Sequence, residues 1–265
     1  MRKGYVDTRY GQVHYAETGS GTPVLFLHQT PRSWDEYRDV LPLVGRHHRA
    51  IAMDTVGFGA SARPEAPFSI EMFADGVEDV LDGLELDEVM LVGHHTGGVV
   101  AVEVAARGPG RVRSLVLSAT PYVDAERRER VASRPPIDHV DVRPDGSHLQ
   151  DLWNQRADFY PADRPDLLDR LVADALQVLD RVEEGHVAVN RYRMEDRIGS
   201  VTAPTLLVCG ELDRFSLPDV PKLAAALPKA GEVILPGTGV AAVDHRPDLF
   251  AAAVLEFLSA EVRHR

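Results

Sequence analysis

A histidine, His95, stands at the centre of the motif Gly93-x-His95-x-Gly97, between a hydrophobic run predicted to be a buried strand and a run predicted to open a helix. The motif matches the Gly-x-Ser-x-Gly turn that presents a serine nucleophile, except at its central residue. So sharp a turn strains the central residue and needs glycine where strand and helix approach closely. An imidazole in that position can accept a proton, so the motif indicates general-base chemistry without a serine nucleophile.

Alternating strands and helices surround this motif. Hydrophobic patterns predict strands at 5–8, 12–17, 24–28, 50–54, 89–93, 115–118, 205–209 and 233–235, and helices at 34–44, 70–84, 220–227 and near the carboxyl end. Such alternation predicts an α/β fold with a mostly parallel sheet covered on both faces. Residues 121–199 are instead charged and rich in helical pattern, so we expect a helical cap or lid there, with 1–120 and 200–265 forming the core.

Composition narrows the class of partner. The chain has 265 residues and a net charge of −12, which argues against nucleic acid and leaves a small-molecule substrate as the expected partner. No apolar run approaches the length of a membrane span, and the amino terminus lacks a signal core, so a cytoplasmic protein is expected. No cofactor or metal is expected, because the pair His47-His48 lacks a third ligand at useful spacing. Whether the chain forms a homodimer is left open.

Several motifs together resemble the α/β-hydrolase fold, with the layout of epoxide hydrolases and haloalkane dehalogenases. They are the loop His28-Gln29-Thr30-Pro31, the turn at 54–61, the His95 motif and the loop Gly210-Glu-Leu-Asp213, in that order along the chain. The resemblance implies a mostly parallel sheet flanked by helices, with a helical lid insertion. It also implies that Asp213 is the acid of a catalytic triad.

The chain departs from this family's pattern in two places. His95 replaces the nucleophile, and aligning Gly239 and Pro247 places Val240 where the family has its catalytic histidine. Acyl-enzyme catalysis by a Ser-His-Asp triad is therefore not supported. A covalent aspartyl ester is also disfavoured, because the central residue of the Gly93-x-His95-x-Gly97 turn, here called the elbow, is not Asp. His245 remains a further catalytic candidate if its loop brings it to the elbow.

The remaining parts imply a different centre. The backbone N–H groups of Thr30 and Thr96 are expected to form an oxyanion hole, with Thr30-Pro31 in a tight turn in which a cis bond is accessible. The longer His95 side chain is expected to hydrogen-bond to Asp213 in the space that Val240 leaves. The residues expected to bind the substrate are His28, Gln29, Trp34, His94, Trp153, Tyr192 and Val240.

Two kinds of function fit these features. The first is an enzyme acting on a small carbonyl compound, either by activating water or by abstracting a proton, as in C–C cleavage, decarboxylation or cyclisation. The second is a ligand-binding protein that has kept the pocket without catalysis, because a fold alone does not establish activity.

Overall fold

The computed structural model describes residues 1–227 and 229–263, and the side chains of 261–263 are left out of the description. Its strands are β1 (Arg2–Thr8), β2 (Gly11–Thr18), β3 (Pro23–Leu27), β4 (Arg49–Met53), β5 (Val89–His94), β6 (Val112–Ser118), β7 (Thr205–Gly210) and β8 (Ala230–Leu235). They form one sheet in the order β1-β2-β4-β3-β5-β6-β7-β8. β1 and β2 pair antiparallel, as do β2 and β4, and the pairs from β4 to β8 are parallel.

Helices cover both faces of the sheet. They are α1 (Leu41–Val44), α2 (Ile70–Gly83), α3 (Thr96–Arg107), α4 (Ala125–Val131), α5 (Ser147–Ala157), α6 (Pro165–Leu176), α7 (Glu184–Arg191), α8 (Val220–Ala226), α9 (Ala242–His245) and α10 (Pro247–Arg263). Helices α4 to α7 all lie in the chain between β6 and β7. The predicted α/β architecture is confirmed, with the His95 motif at the carboxyl end of β5, a central strand.

Two hydrophobic clusters form the core. On one face, Leu25 and Leu91 of the sheet pack in a cluster with Phe73 of α2. On the other, Phe26 packs in a cluster with Phe250 of α10. Successive residues of β3 therefore point to opposite apolar layers, which explains why the central strands read as continuous hydrophobic runs.

The structure differs from the sequence prediction in the segment 34–44. A single amphipathic helix was expected there, but Trp34–Tyr37 form a turn of 3₁₀ helix and α1 begins only at Leu41. Pro42 stands in the first turn of α1, where its missing N–H costs no helical hydrogen bond. A continuous helix over 34–44 would need a backbone N–H at position 42, which proline lacks. The apolar spacing therefore predicted one helix where the chain forms two short ones.

A fully buried guanidinium, that of Arg32, joins the core to the helices between β6 and β7. Its Nε donates to Asp174 of α6 at 2.9 Å, and its Nη1 donates to Asp244 of α9. Arg170 of α6 also pairs with Asp244, at 3.3 Å. Removing one partner would leave a buried charge uncompensated, so this network fixes where α6 sits above the core.

Candidate functional site

The turn between β5 and α3 has the strained geometry that the sequence predicted. His95 adopts φ 46° and ψ −112°, in a region that residues other than glycine rarely occupy. A Cβ on Gly97 would collide with the backbone carbonyl of Leu27, and one on Gly93 would collide with the backbone of Gly97. The close approach of β3, β5 and α3 therefore depends on these glycines.

We expect Gly97→Ala to lower the free energy of unfolding by about 1–3 kcal/mol, because the rigid backbone of Leu27 must shift to admit the methyl group. Urea denaturation followed by circular dichroism measures the change. Gly199→Ala is the matched control, since a Cβ at Gly199 meets no atom within 4 Å. Equal unfolding midpoints for the two variants would contradict this packing argument.

A large cavity of about 1060 Å³ opens beside this turn. Of the residues predicted for the site, those that line the cavity are Gln29, Thr30, His95, Thr96 and Val240. The opposite wall comes from the helices between β6 and β7, through residues such as Arg156 of α5 and His186 of α7. The elbow residue thus faces a cavity enclosed between the sheet and these helices.

Thr30 and Thr96 lie next to each other on the cavity wall. Their hydroxyl groups are 3.0 Å apart, and the Thr30–Pro31 peptide bond is cis. Within the described ranges, no hydrogen bond uses the backbone N–H of either threonine. The neighbouring Gln29 is held in place by the buried Glu36, which accepts from its backbone N–H at 2.8 Å and from its side chain at 2.6 Å. Two backbone N–H groups are therefore unpaired, that of Thr30 on this anchored loop and that of Thr96 next to His95 at the start of α3.

The imidazole of His95 is held uncharged. Burial lowers its pKa well below the usual value of 6.5, and the nearby His94 lowers it further. The positive charges of Arg156 and Arg127 act in the same direction. The ring packs edge-on against His94, with centroids 4.9 Å apart. At neutral pH this side chain is a proton acceptor that carries no charge.

The predicted hydrogen bond between His95 and Asp213 is wrong. Nε2 of His95 is buried and has no partner among the described residues. Asp213 is fully buried, and its Oδ1 instead accepts the backbone N–H groups of Phe215 and Ser216, each at 3.0 Å. Its Oδ2 has no partner among the described residues either. The carboxylate therefore caps its own loop instead of contacting the His95 ring.

Two other histidines predicted to bind substrate are buried in the core. His94 is fully buried, with Nδ1 2.9 Å from the hydroxyl of Ser118. His28 is also buried. Its Nε2 accepts the N–H of Thr55 at 2.9 Å, and its Nδ1 lies 2.7 Å from the carbonyl of Gln29. Both ring nitrogens of His28 therefore have partners, whereas Nε2 of His94 is buried without one among the described residues. Neither histidine is among the residues that line the cavity.

The three predicted aromatic contacts also lie elsewhere. Trp34 packs under Lys3, whose Nζ is 4.2 Å from the ring centroid. Trp153 packs against the apolar cluster around Leu167 and Leu171, and Tyr192 donates to Glu103 at 2.6 Å. None of the three is among the residues that line the cavity.

His245, the remaining catalytic candidate, does not reach the elbow. It ends α9, its backbone N–H donates to Ala241 at 2.8 Å, and it is not among the cavity-lining residues. The neighbouring Asp244 turns towards Arg32 instead. The ion pair fixes α9 in an orientation that keeps His245 away from the cavity.

The sequence interpretation did not single out three of the arginines on the cavity wall. Arg127, Arg130 and Arg134 all line the cavity. Arg127 and Arg130, three residues apart on α4, share one side of that helix, and Arg134 lies just beyond its end. This spacing is visible in the sequence, but an exposed charged helix is usually only a solvated surface. Only the tertiary arrangement shows that this surface faces the cavity.

Neither a metal cluster nor a membrane span is found in the part of the chain that the structure describes. No group of three or more His, Cys, Asp or Glu side chains in 1–227 and 229–263 is arranged to hold a metal ion. No helix within those ranges is long and apolar enough to cross a membrane.

Comparison with known proteins agrees with this architecture. The profile of a family described as "alpha/beta hydrolase fold" matches residues 22–244. Haloalkane dehalogenase 2 of Mycobacterium tuberculosis is 28% identical over 269 residues, covering 95% of this chain and 93% of the relative. Non-heme chloroperoxidase CPO-A1 of Kitasatospora aureofaciens is 31% identical over 270 residues, covering 95% and 98%.

A solved structure shows the same fold. The enol-lactonase from Burkholderia xenovorans LB400 superposes with a TM-score of 0.79 at 20% identity, covering 97% of this chain and 100% of that one. Sheet order, strained elbow and a family match over most of the length all agree, and the chain belongs to the α/β-hydrolase fold family.

Proposed function

We propose that this protein is an enzyme of the α/β-hydrolase family that acts on a small carbonyl compound, with His95 as an uncharged general base. The observation that carries the proposal is the position of His95, in a strained elbow on the cavity wall beside the two unpaired N–H donors of Thr30 and Thr96. Those donors form an oxyanion hole in this proposal, and residues 121–199 form the cap.

The proposed centre works without a covalent intermediate. The backbone N–H groups of Thr30 and Thr96 bind the carbonyl oxygen and stabilise the negative charge that develops on it. The imidazole of His95 accepts a proton, either from water that attacks the carbonyl or from a carbon next to it. Val240 offers no second proton carrier, so turnover of an acyl group on the elbow residue has no support.

The low pKa of His95 favours the second of these reactions. A weak base removes a proton from water only with difficulty, whereas a proton beside two carbonyl groups is far more acidic. The resulting enolate would be stabilised by the same N–H donors. A reaction in which this enolate forms the new bond, such as cyclisation of a β-keto compound, is therefore favoured, and hydrolysis of an ester or lactone is the second.

A screen with the full-length protein tests the proposal. Turnover of at least one substrate from a panel of β-keto acids, lactones and esters is the expected result, followed by product formation in a mass spectrometer. The missing His95–Asp213 hydrogen bond favours one rival, a ligand-binding protein without catalysis. Saturable binding of panel members with no product from any of them would establish that rival and defeat the proposal.

The acid side of the pH profile is a separate prediction. The unprotonated imidazole of His95 is the active form. Burial lowers the pKa of this imidazole, and the charges of His94, Arg156, Arg127 and His186 lower it further. We therefore expect kcat/KM to stay constant as pH falls through 6.5 and to drop only well below it. Initial rates measured from pH 4 to 8, with folding checked at each pH, would show this limb. An acid limb centred at or above pH 6.5 would contradict the assignment of His95 as the base.

A further inference from the structure

The cavity wall is strongly basic in a chain whose net charge is −12. Among the described residues, those with cationic side chains on this wall are Arg127, Arg128, Arg130, Arg134, Arg156, Arg191, Arg214 and Lys222, against the acidic Glu183 and Asp219. Concentrating positive charge at one cavity of an acidic protein attracts anions to it. Only a cationic side chain that is not already paired with a carboxylate can bind such an anion strongly.

Two of the arginines are already neutralised. Arg156 pairs with the buried carboxylate of Asp138, to which both Nε and Nη2 donate. Arg128 makes a similar two-point contact with Glu195. A paired guanidinium of this kind has little left to offer a ligand, so neither is the anchor for an anion.

Arg127 differs from both. Its Nε is buried and has no hydrogen-bond partner in the described chain, and its Nη1 makes one long contact, 3.4 Å, with Asp219. Burial lowers its pKa, and the charges of Arg130 and Arg134 lower it further. The guanidinium thus has an unused donor and too little negative charge around it. Both Arg127 and His95 line this cavity, and the charge of Arg127 lowers the pKa of His95.

The rim adds unpaired cations and an apolar surface. In the described ranges the guanidinium groups of Arg134, Arg191 and Arg214 make no salt bridge, and all three residues are exposed. Phe159 and Phe215 stack with centroids 5.1 Å apart, and both line the cavity. The wall therefore offers a flat apolar contact next to charges without partners.

We infer that the cavity takes a substrate with an apolar body and an anionic group, a carboxylate or a phosphate, which binds to Arg127. The inference rests on the proposed function for the reaction at His95, and it adds the class of substrate. The Nη groups of Arg127 donate to the anion, Phe159 and Phe215 contact the apolar body, and the rim arginines attract the anion to the cavity. The reacting carbonyl then lies towards Thr30 and Thr96.

Isothermal titration calorimetry with three probes of one shape tests this inference. The probes are 2-naphthoate, 2-naphthyl phosphate and the uncharged 2-naphthamide, each titrated into the full-length protein at low and at moderate salt. We expect both anions to bind at least about tenfold more tightly than the amide, with affinity falling as salt rises. Whichever anion binds more tightly identifies carboxylate or phosphate as the natural group. Equal affinity for all three probes would overturn the inference.

Variants then locate the anion. Arg127→Gln should weaken both anions by about tenfold and leave the amide unchanged, while Arg127→Lys should keep much of the affinity. Arg164→Gln is the matched control, since Arg164 is exposed, pairs with Asp166 and does not line the cavity. If Arg127→Gln does not fold, Arg191→Gln with Arg214→Gln removes two exposed charges and should weaken the anions about threefold at low salt. Unchanged anion binding in the folded variants would overturn the inference.

These titrations measure binding alone, so they separate this inference from the proposed function. Anion binding through Arg127 in a protein whose turnover ignores His95 would defeat only the proposed function. Turnover that requires His95 but treats charged and uncharged substrates alike would defeat only this inference.

Discussion

Replacing His95 by Ala is expected to lower kcat by about 10²–10⁴ while the protein stays folded. The side chain makes no hydrogen bond through Nε2 to a described residue, so its loss leaves no buried partner unsatisfied. Ala also removes the Cβ substituents from a residue that already tolerates φ 46°. Steady-state rates on the best substrate of the panel measure the effect, and thermal unfolding confirms the fold.

His245→Ala is the matched control for this experiment. It removes an imidazole of the same size from α9, outside the residues that line the cavity. We expect its turnover to remain within about threefold of the unmodified protein, as for a substitution away from the reacting groups. A His95→Ala variant with full turnover, together with an inactive His245→Ala variant, would transfer the catalytic role to His245.

A second large effect is expected from rebuilding the family's triad. The variant H95S/V240H should gain esterase activity at least about 10²-fold above H95S, because a histidine at position 240 can take the proton of the new hydroxyl. Asp213 is ready to orient that histidine, since its Oδ2 is buried and has no described partner. The loops that carry Asp213 and Val240 are in contact, because the backbone N–H of Leu212 donates to the carbonyl of Thr238 at 2.8 Å.

Rates on short-chain 4-nitrophenyl esters measure this gain. H95S and V240H are the single controls, and neither should show it, because each has only one of the two missing groups. Adding D213N to the double variant should remove the gain by leaving the new histidine without its acceptor. Equal esterase rates for H95S and H95S/V240H would show that position 240 does not correspond to the family's histidine.

The fold was predictable because its signals are local. Continuous apolar runs such as Val89–Val92 mark buried strands, and Gly93 and Gly97 mark a turn that only glycine fits. The position of Val240 on the cavity wall also agrees with the alignment made from Gly239 and Pro247. These features depend on steric limits that sequence spacing records directly.

The contacts of the site were harder to predict, because they depend on competition between partners. The Asp213 carboxylate accepts the backbone amides of Phe215 and Ser216 rather than the His95 ring that the sequence analysis paired with it. Arg127 and Asp219 are far apart in the sequence, so no local pattern shows that they are in contact. Nor does any pattern show that the carboxylate of Asp219 neutralises the charge of Arg127 only in part. Burial of an unpaired group is a property of the assembled cavity.

The central claim is that an uncharged His95 imidazole accepts the proton during turnover. A nuclear magnetic resonance titration of the protein labelled with ¹⁵N-histidine tests it most directly, with the His95 signal assigned from the His95→Ala spectrum. We expect its protonation midpoint to lie well below 6.5 and to coincide with the acid limb of kcat/KM. A His95 midpoint at or above 6.5, or an acid limb at a different pH from that midpoint, would contradict the account.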